Sequence, residues 1–418
     1  MSTPEQYSRR SFLSGVLATG TFSAIALYAA PRGRSTPAVE LRLTSGTDST
    51  GARDLIITMW NQTNPDITVR VDEISLGSGD ERQIMLEQAV RGEADLLNLD
   101  VIDVPEFADR ELISPIALDG GRQLIGPLDW MNRVSIDDPR YWAVPFNTDV
   151  GMLFVRTGDD DRPASRSLSE LMATIPDGSQ QFVGQLRPSV SAYHEAFVVN
   201  VLEHAASSRP GVLKVPDPSV PGVAADLISQ DIELWRSALT PLKEAVEAQR
   251  VLVSGSEAES RDLFIQPDSP CRYMRNWPVK YRELQQLENP DVRTGRIQVA
   301  VMDAGVLGGQ SLAVVADSPH VPQARAFIAF ASSEVVQKIL ATHGLAPTAI
   351  GAYSDDNLKA SIPHLNGVRE AVENALPRPA HPNYRRFSAV VKDHVERFLH
   401  RDEQLAPHFI DEMMEALA

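Results

Sequence analysis

A short polar segment, Asn147-Thr148-Asp149, lies between two apolar runs at residues 142–146 and 151–155. Carboxylate and amide groups beside apolar surface can bind a polar molecule, since charge-assisted hydrogen bonds are about twice as strong as neutral ones. The chemistry that this segment predicts is recognition of hydroxyl or other polar groups, with Asp149 and Asn147 as candidate contacts.

The chain offers carboxylates for catalysis but no catalytic motif. It has 56 acidic and 39 basic residues, a formal net charge of -17, and two carboxylates would suffice for a glycosidase. No Ser/His/Asp order, phosphate-binding loop or Cys/His spacing typical of a metal site accompanies them. We therefore predict a protein that is not an enzyme and has no metal or cofactor, with an exported glycosidase as a less favoured alternative. The negative charge argues against a nucleic-acid partner.

The N-terminus resembles an export signal. Arg9 and Arg10 precede an apolar run that reaches Ala30 without an acidic residue, which is typical of the twin-arginine route. Residues 1–37 are thus predicted to be an export signal and a linker. The sequence is compatible both with secretion and with tethering to the membrane through this segment. Cys271 is the only cysteine, so no internal disulfide can form, and its thiol is expected to pack in the interior.

The elements that must position the polar groups alternate between strand and helix. Residues 39–43, 67–71 and 95–101 have strand patterns, and residues 53–61 and 81–91 have helical ones. This alternation favours an α/β lobe with a largely parallel sheet. With 418 residues, the chain is long enough for two lobes.

The second half of the chain is predicted to be richer in helices. Residues 167–287 form a helix-rich middle, followed by strands at residues 297–302 and 311–315. Helices then dominate, and residues 387–399 are predicted to form the last one. The glycines between the two strands are Gly305, Gly308 and Gly309, which permit the backbone angles that a hinge needs.

Several phrases in this order resemble the extracellular solute-binding proteins of ABC importers, in the sugar-binding family of the maltose and trehalose type. The phrases are Gly92-Glu93-Ala94-Asp95, Pro105-Glu106-Phe107-Ala108, residues 144–151, Met274-Arg275-Asn276-Trp277-Pro278, residues 308–313, residues 344–348, and Pro377-Arg378-Pro379 with Tyr384. Together they extend over most of the chain from Leu41 to Leu399.

The resemblance implies an α/β fold of the periplasmic-binding-protein type (type II), a clamshell of two hinge-linked lobes with a helical C-terminus. Residues 38–149 plus 305–350 would form lobe 1, and residues 150–304 plus 351–418 lobe 2. The chain would cross between lobes near residues 148–151 and again near residues 302–311. The implied protein is an exported monomer that captures a mono- or oligosaccharide by lobe closure and delivers it to an ABC permease.

The resemblance also implies where the ligand binds. Trp277 would stack on a sugar ring, while carboxylates and amides would bind the hydroxyls. The implied ligand-binding residues are Asp48, Asp103, Asn147, Asp149, Glu195, Trp277, Gly309, Gln310 and Tyr384.

The cleft also departs from the family pattern. Asp103 and Val279 stand where aromatic residues are common, and only 6% of the chain is aromatic. An amine-bearing or other polar solute is therefore an alternative to a neutral sugar. A tethered sensor that presents a ligand to a signalling partner is an alternative to a transport receptor.

Overall fold

The computed structural model describes residues 39–74, 81–117, 124–125, 127–135, 138–157, 167–187, 194–214, 227–401 and 403–418. The predicted export signal lies outside the described residues. In the part of the chain that the structure describes, no helix has the length and apolar character needed to cross a membrane.

The elements alternate between strand and helix in the first half of the chain, as the sequence predicts. In chain order they are β1 (Val39–Gly46), α1 (Ala52–Thr63), β2 (Ile67–Ile74), α2 (Glu81–Val90), β3 (Leu96–Asp100), α3 (Val104–Asp109), β4 (Ile113–Ser114), α4 (Leu128–Met131), β5 (Arg133–Ser135), β6 (Asp138–Tyr141), β7 (Val144–Val150), β8 (Met152–Arg156), α5 (Leu168–Thr174), β9 (Phe182–Gly184) and α6 (Glu195–Ser208).

Helices dominate the second half. The remaining elements are α7 (Ile232–Glu247), β10 (Val251–Val253), α8 (Glu257–Ile265), β11 (Tyr273–Asn276), α9 (Val279–Gln286), α10 (Pro290–Arg293), β12 (Ile297–Val301), β13 (Leu307–Val315), α11 (Val321–Ala331), α12 (Glu334–Thr342), α13 (Ile350–Tyr353), α14 (Asp356–Ser361), α15 (Leu365–Glu373), α16 (Tyr384–His400) and α17 (Phe409–Ala416). The prediction that the helix at residues 387–399 is the last one is wrong, because α17 follows it and packs against it.

The first sheet has the strand order β2-β1-β3-β13-β4, with β7 beside β13. β1 pairs in parallel with β2 and β3. β13 is antiparallel to β3, β4 and β7. The prediction of a largely parallel sheet therefore holds only for the first three strands, since β13 enters from the other end of the sheet.

The second sheet has the order β10-β9-β11-β8-β12. Three of its strands come from the middle of the chain, which the sequence pattern indicates only as helix-rich. β9 and β10 have three residues each and β11 has four. Strands this short show too little alternation to be recognised before their pairing partners are known.

The chain passes between the two sheets at two adjacent segments. β7 in the first sheet continues into β8 in the second through Gly151, within the crossing expected at residues 148–151. The return runs from β12 to β13 over residues 302–306. This second crossing is shorter than the expected 302–311, because Gly308 and Gly309 already pair with β7 as part of β13.

A later segment lies against the return crossing. The Leu307 amide donates to the Leu376 carbonyl (2.9 Å), and the Leu376 amide donates to the Gly305 carbonyl (2.8 Å). The segment after α15 is thereby joined to the other two at the boundary between the sheets. The exact lobe boundaries at residues 149, 304 and 350 stay a prediction.

A fully buried ion pair lies beneath these crossings. Arg275 donates to both carboxylate oxygens of Glu203 at 2.6 and 2.8 Å, and both side chains have 0% exposure. The Val306 amide donates to the same carboxylate (3.1 Å). A Cβ added to Gly151 would lie 2.0 Å from Glu203 Oε1, so the first crossing passes directly over this pair.

Gly151→Ala is therefore expected to destabilise the protein by about 1–3 kcal/mol through overpacking, because Glu203 is held by Arg275 and cannot move away. Gly367→Ala is the matched control, since its Cβ would meet only Val301 and Met152, at 3.5 and 3.9 Å. Because alanine favours a helix more than glycine does, the control variant in α15 should gain about 0.5–1 kcal/mol in free energy of unfolding. Urea unfolding measures the stability of both variants. Equal stability of the two would contradict the close packing of Gly151 on Glu203.

Candidate functional site

A cavity of about 270 Å³ lies between the two sheets. β1, β3, β7 and β13 or the loops after them line one side, and α6, α8, β11 and α9 or their ends line the other. Asn98 and Asp100 belong to the carboxyl-terminal half of β3, the end of a strand at which open α/β sheets bind ligands. The lining residues are Thr47, Asp48, Ser49, Thr50, Arg53, Asn98, Asp100, Phe146, Asn147, Asp149, Glu195, Ala196, Val199, Glu257, Trp277, Val279, Lys280, Glu283, Gly308, Gly309, Gln310, Leu345 and Arg378.

The structure brings seven of the nine predicted residues to this cavity. They are Asp48, Asn147, Asp149, Glu195, Trp277, Gly309 and Gln310. Asp103 and Tyr384 lie outside the lining, and their contacts explain why.

Trp277 is held rigidly at the cavity. Its indole nitrogen donates to Glu257 Oε1 (3.2 Å), and the Arg275 guanidinium lies 3.9 Å from the ring centre. Arg275 thus covers one face of the ring, which leaves the other face or an edge for a molecule in the cavity. An aromatic face fixed in this way can cover apolar surface of a ligand at little cost in side-chain entropy.

The polar segment predicted from the sequence is the second half of β7, paired with β13. Gly309 lies opposite Thr148 with a φ of 125°, and a Cβ there would be 2.5 Å from the Asn147 carbonyl oxygen. Only glycine fits this position. Gln310, opposite Asn147, accepts a hydrogen bond from Asn98 (2.9 Å), so the cavity's amide groups are oriented by one another.

Asp48 holds the loop that leads into α1. Its Oδ1 accepts from the amide and hydroxyl of Thr50, and its Oδ2 accepts from the Arg53 amide (2.9 Å). Burial raises the pKa of Asp48, but these hydrogen bonds outweigh it and hold the pKa below its ordinary value. Both oxygens of this carboxylate therefore have partners in its own loop or in the first turn of α1.

Glu195 is the first residue of helix α6, and both of its carboxylate oxygens accept hydrogen bonds. Arg378 (3.1 Å) and the Tyr384 hydroxyl (3.0 Å) donate to its Oε2, and Ser388 donates to Oε1. Burial raises the pKa of Glu195, yet Arg378 and Arg385 more than compensate and keep it low. Tyr384 is thus behind Glu195 and positions it, rather than facing the cavity as predicted.

Asp103 is also placed differently from the prediction. Arg385 at the start of α16 donates to both of its oxygens, at 3.0 and 2.9 Å, and Asp103 is only 5% exposed. This ion pair occupies both oxygens of the carboxylate and ties the segment after β3 to α16, which packs against α6 and α7. An ion pair 282 residues apart in the chain leaves no local sequence signal.

Asp149 differs from the other carboxylates of the cavity. Its Oδ1 is buried and has no hydrogen-bond partner among the described residues. Burial and the nearby charge of Asp100 raise the pKa of Asp149 to about 7, despite the opposing effects of Arg275 and Lys280. Asp149 thus lines the cavity with a carboxyl group whose Oδ1 is bound by no described residue.

Sequence reasoning missed several charged residues of the cavity, above all Arg378. Its guanidinium lies between Glu195 Oε2 and Asp100 Oδ1, at 3.1 and 3.5 Å, and contacts the Leu307 carbonyl. Asp100 could have been found from its place at the carboxyl end of a buried strand. The phrase Pro377-Arg378-Pro379 carries part of the family resemblance, but it predicts no contact for the Arg378 side chain. The other missed charged residues are Arg53, Glu257, Lys280 and Glu283.

Away from the cavity, the described residues include one group of side chains that could bind a metal ion. His394 of α16 and His408 and Glu412 at α17 have ligand atoms within 4.8 Å of one another. The sequence pattern did not indicate this group, because His394 reaches it only through helix packing. Within this group, His394 Nε2 and a Glu412 carboxylate oxygen are hydrogen-bonded at 2.9 Å between the two helices.

Removing Arg378 should be costly because Glu195 would then be a buried charge with its main counter-charge lost. Arg378→Met is expected to reduce the free energy of unfolding by about 3–5 kcal/mol. The double variant Arg378→Met/Glu195→Gln should recover part of that loss, since no unpaired buried charge is left. Urea denaturation measures both, and a double variant no more stable than the single one would refute the coupling.

The family model of the bacterial extracellular solute-binding proteins matches residues 56–364, about three quarters of the chain. Similar solved structures include maltose-bound MalE3 of T. maritima, at 24% sequence identity and a TM-score of 0.74, covering 91% of this chain and 99% of that one. An ABC transporter solute-binding protein from Thermotoga lettingae, bound with α-D-tagatose, has 19% identity and a TM-score of 0.72, with coverage of 91% and 100%. One from Agrobacterium vitis S4, with bound D-mannitol, has 15% identity and a TM-score of 0.68, with coverage of 90% and 97%. The two sheets and their cavity thus form the two-lobed α/β fold of these proteins, and the chain belongs to the bacterial extracellular solute-binding protein family.

Proposed function

We propose that this protein is the receptor of an ABC importer and that it captures a sugar or polyol in the cavity between its sheets. The observation that carries the proposal is the composition of that cavity. A rigid indole at Trp277 faces hydrogen-bonding groups from the opposite sheet, including Asn147, Asp149 and Gln310. An aromatic face with surrounding carboxylates and amides matches the alternating apolar and hydroxyl surfaces of such ligands.

The solved relatives support this choice of ligand class. Their bound molecules are maltose, α-D-tagatose and D-mannitol, which share a dense array of hydroxyl groups. Family membership supports a protein that binds its ligand without converting it.

Capture would proceed by closure of the lobes. The lobe boundaries predicted at residues 149 and 304 are at or next to the two segments that pass between the sheets, where a small backbone rotation would open the cavity. The closed, loaded form would be the one that an ABC permease recognises. The protein would act as a monomer outside the cytoplasm, exported through the twin-arginine signal predicted in residues 1–37, whether or not that segment is cleaved.

A thermal-shift screen tests the proposal directly. Residues 38–418 are expected to melt at higher temperature with at least one of maltose, tagatose and mannitol, since a ligand at 100 times its Kd adds about 2.7 kcal/mol to stability. A wider panel of neutral and charged carbohydrates should include the tightest ligand. If no member of either set raises the melting temperature, the receptor proposal fails.

Trp277→Ala should weaken binding of the ligand found in that screen by more than tenfold, because the stacking surface is lost. Trp142→Ala is the matched control: this half-buried tryptophan packs near β4, away from the cavity. Isothermal titration of both variants is the measurement. Unchanged affinity in Trp277→Ala would remove this residue from the site, and equal losses in both variants would point to a general loss of structure.

A further inference from the structure

Among the described residues, each basic group that lines the cavity is paired with a carboxylate of the protein. Arg53 donates to Glu73 (2.6 Å) and to Ser45 and the Gly46 carbonyl. Lys280 donates to Glu283 (2.7 Å). Arg378 lies between Glu195 and Asp100. A ligand would therefore meet no unpaired positive charge on these three residues.

The described part of the chain contributes six carboxylates to the cavity lining, and three of them have partners at both oxygens. The partners of Asp48 lie in its own loop or in the first turn of α1, as described above. Glu195 is bound by Arg378, Tyr384 and Ser388. Glu283 accepts from Arg261 (2.5 Å) as well as from Lys280. Asp100, Asp149 and Glu257 remain.

These remaining carboxylates have few partners. Asp149 Oδ1 is buried with no hydrogen-bond partner among the described residues. Asp100 receives only long contacts at its Oδ1, from the Ile102 amide (3.3 Å) and Arg378 (3.5 Å). Glu257 accepts from the uncharged indole of Trp277. The cavity thus has an excess of negative charge, and Asp149 is its least satisfied member.

Closing the lobes over this group has an electrostatic consequence. Hydroxyl groups of a neutral sugar can hydrogen-bond a carboxylate but cannot cancel its charge, and enclosing an uncompensated charge is costly. An ammonium group supplies both the hydrogen bonds and the opposite charge. We propose that the ligand of this receptor is a sugar or polyol bearing a protonated amine, which binds at Asp149 with Asp100 and Glu257 nearby. This inference rests on the receptor function proposed above.

The surroundings of Asp149 should make the binding of an ammonium ligand depend on pH. The charged and titratable groups that act on it, or on which it acts, are Asp100 from β3, Glu257 from α8, Arg275 from β11, Lys280 from α9 and Tyr353 from α13. Arg275 is committed to Glu203 and Lys280 to Glu283. Burial, with help from Asp100, raises the pKa of Asp149 to about 7. Asp149 therefore loses its proton as pH rises through neutrality, and an ammonium ligand should bind more tightly in that direction.

The test compares 1-amino-1-deoxy-D-glucitol with D-glucitol, which differ only in the amine that replaces one hydroxyl. By isothermal titration at pH 8.5, we expect the amine to bind at least tenfold more tightly. Its Kd should increase on the order of 30-fold between pH 8.5 and pH 5.5, because each pH unit below the pKa lowers the ionised fraction of Asp149 about tenfold. The Kd of glucitol should not increase on acidification, because a protonated Asp149 can still hydrogen-bond a hydroxyl.

Variants then assign the preference to Asp149. Asp149→Asn should reduce the ratio of the two Kd values to less than threefold, whereas Asp411→Asn, an exposed acid on α17, should keep it. If Asp149→Asn does not fold, the pH profile of the unmodified protein decides. Glucitol binding as tightly as its amine, or an amine affinity independent of pH, would overturn the inference and leave the receptor function standing. Failure of both probes and of every carbohydrate in the thermal screen would instead overturn the receptor function itself.

Discussion

The ion pair between Glu203 and Arg275 is the interaction on which the rest of this structure depends. Both side chains are fully buried, so each needs the other, and removal of either would leave an uncompensated charge in the interior. The pair also touches the crossing at Gly151 and the amide of Val306, and its guanidinium covers Trp277. One pair of charges therefore links the two segments that cross between the sheets to Trp277 in the wall of the cavity.

This arrangement explains why the basic residues near the cavity are paired while some of its carboxylates are not. Arg275 lowers the pKa of Asp149, but burial and Asp100 outweigh this effect, and the guanidinium donates its hydrogen bonds to Glu203. Arg378 similarly divides its donors between Glu195 and Asp100. The cations near the cavity are thus paired with carboxylates of the protein. What remains for a ligand is aromatic surface, amide groups and partly satisfied carboxylates.

Elements with a long, regular pattern could be predicted from the sequence, and short ones could not. β1, β2 and the helices between β1 and β3 were predicted within a few residues, because eight-residue strands and helices of ten or more residues show a clear period. β9, β10 and β11 were missed, since strands of three or four residues exist only through their pairing. The antiparallel entry of β13 into the first sheet was missed for a related reason: strand direction is decided by connections far along the chain.

For the site, residue type and local setting were enough to nominate groups but not to assign their partners. The amino-acid sequence by itself determined the alternating α/β elements, the glycine at position 309 that lets two strands approach closely, and the polar residues of β7 beside them. The tertiary structure alone decided which carboxylates are free. Asp103 and Glu195 are paired with residues 282 and 183 positions away, while Oδ1 of Asp149 has no hydrogen-bond partner in the described ranges of the chain. Such pairing depends on distances of a few ångströms between segments remote in the chain, and no local pattern encodes those distances.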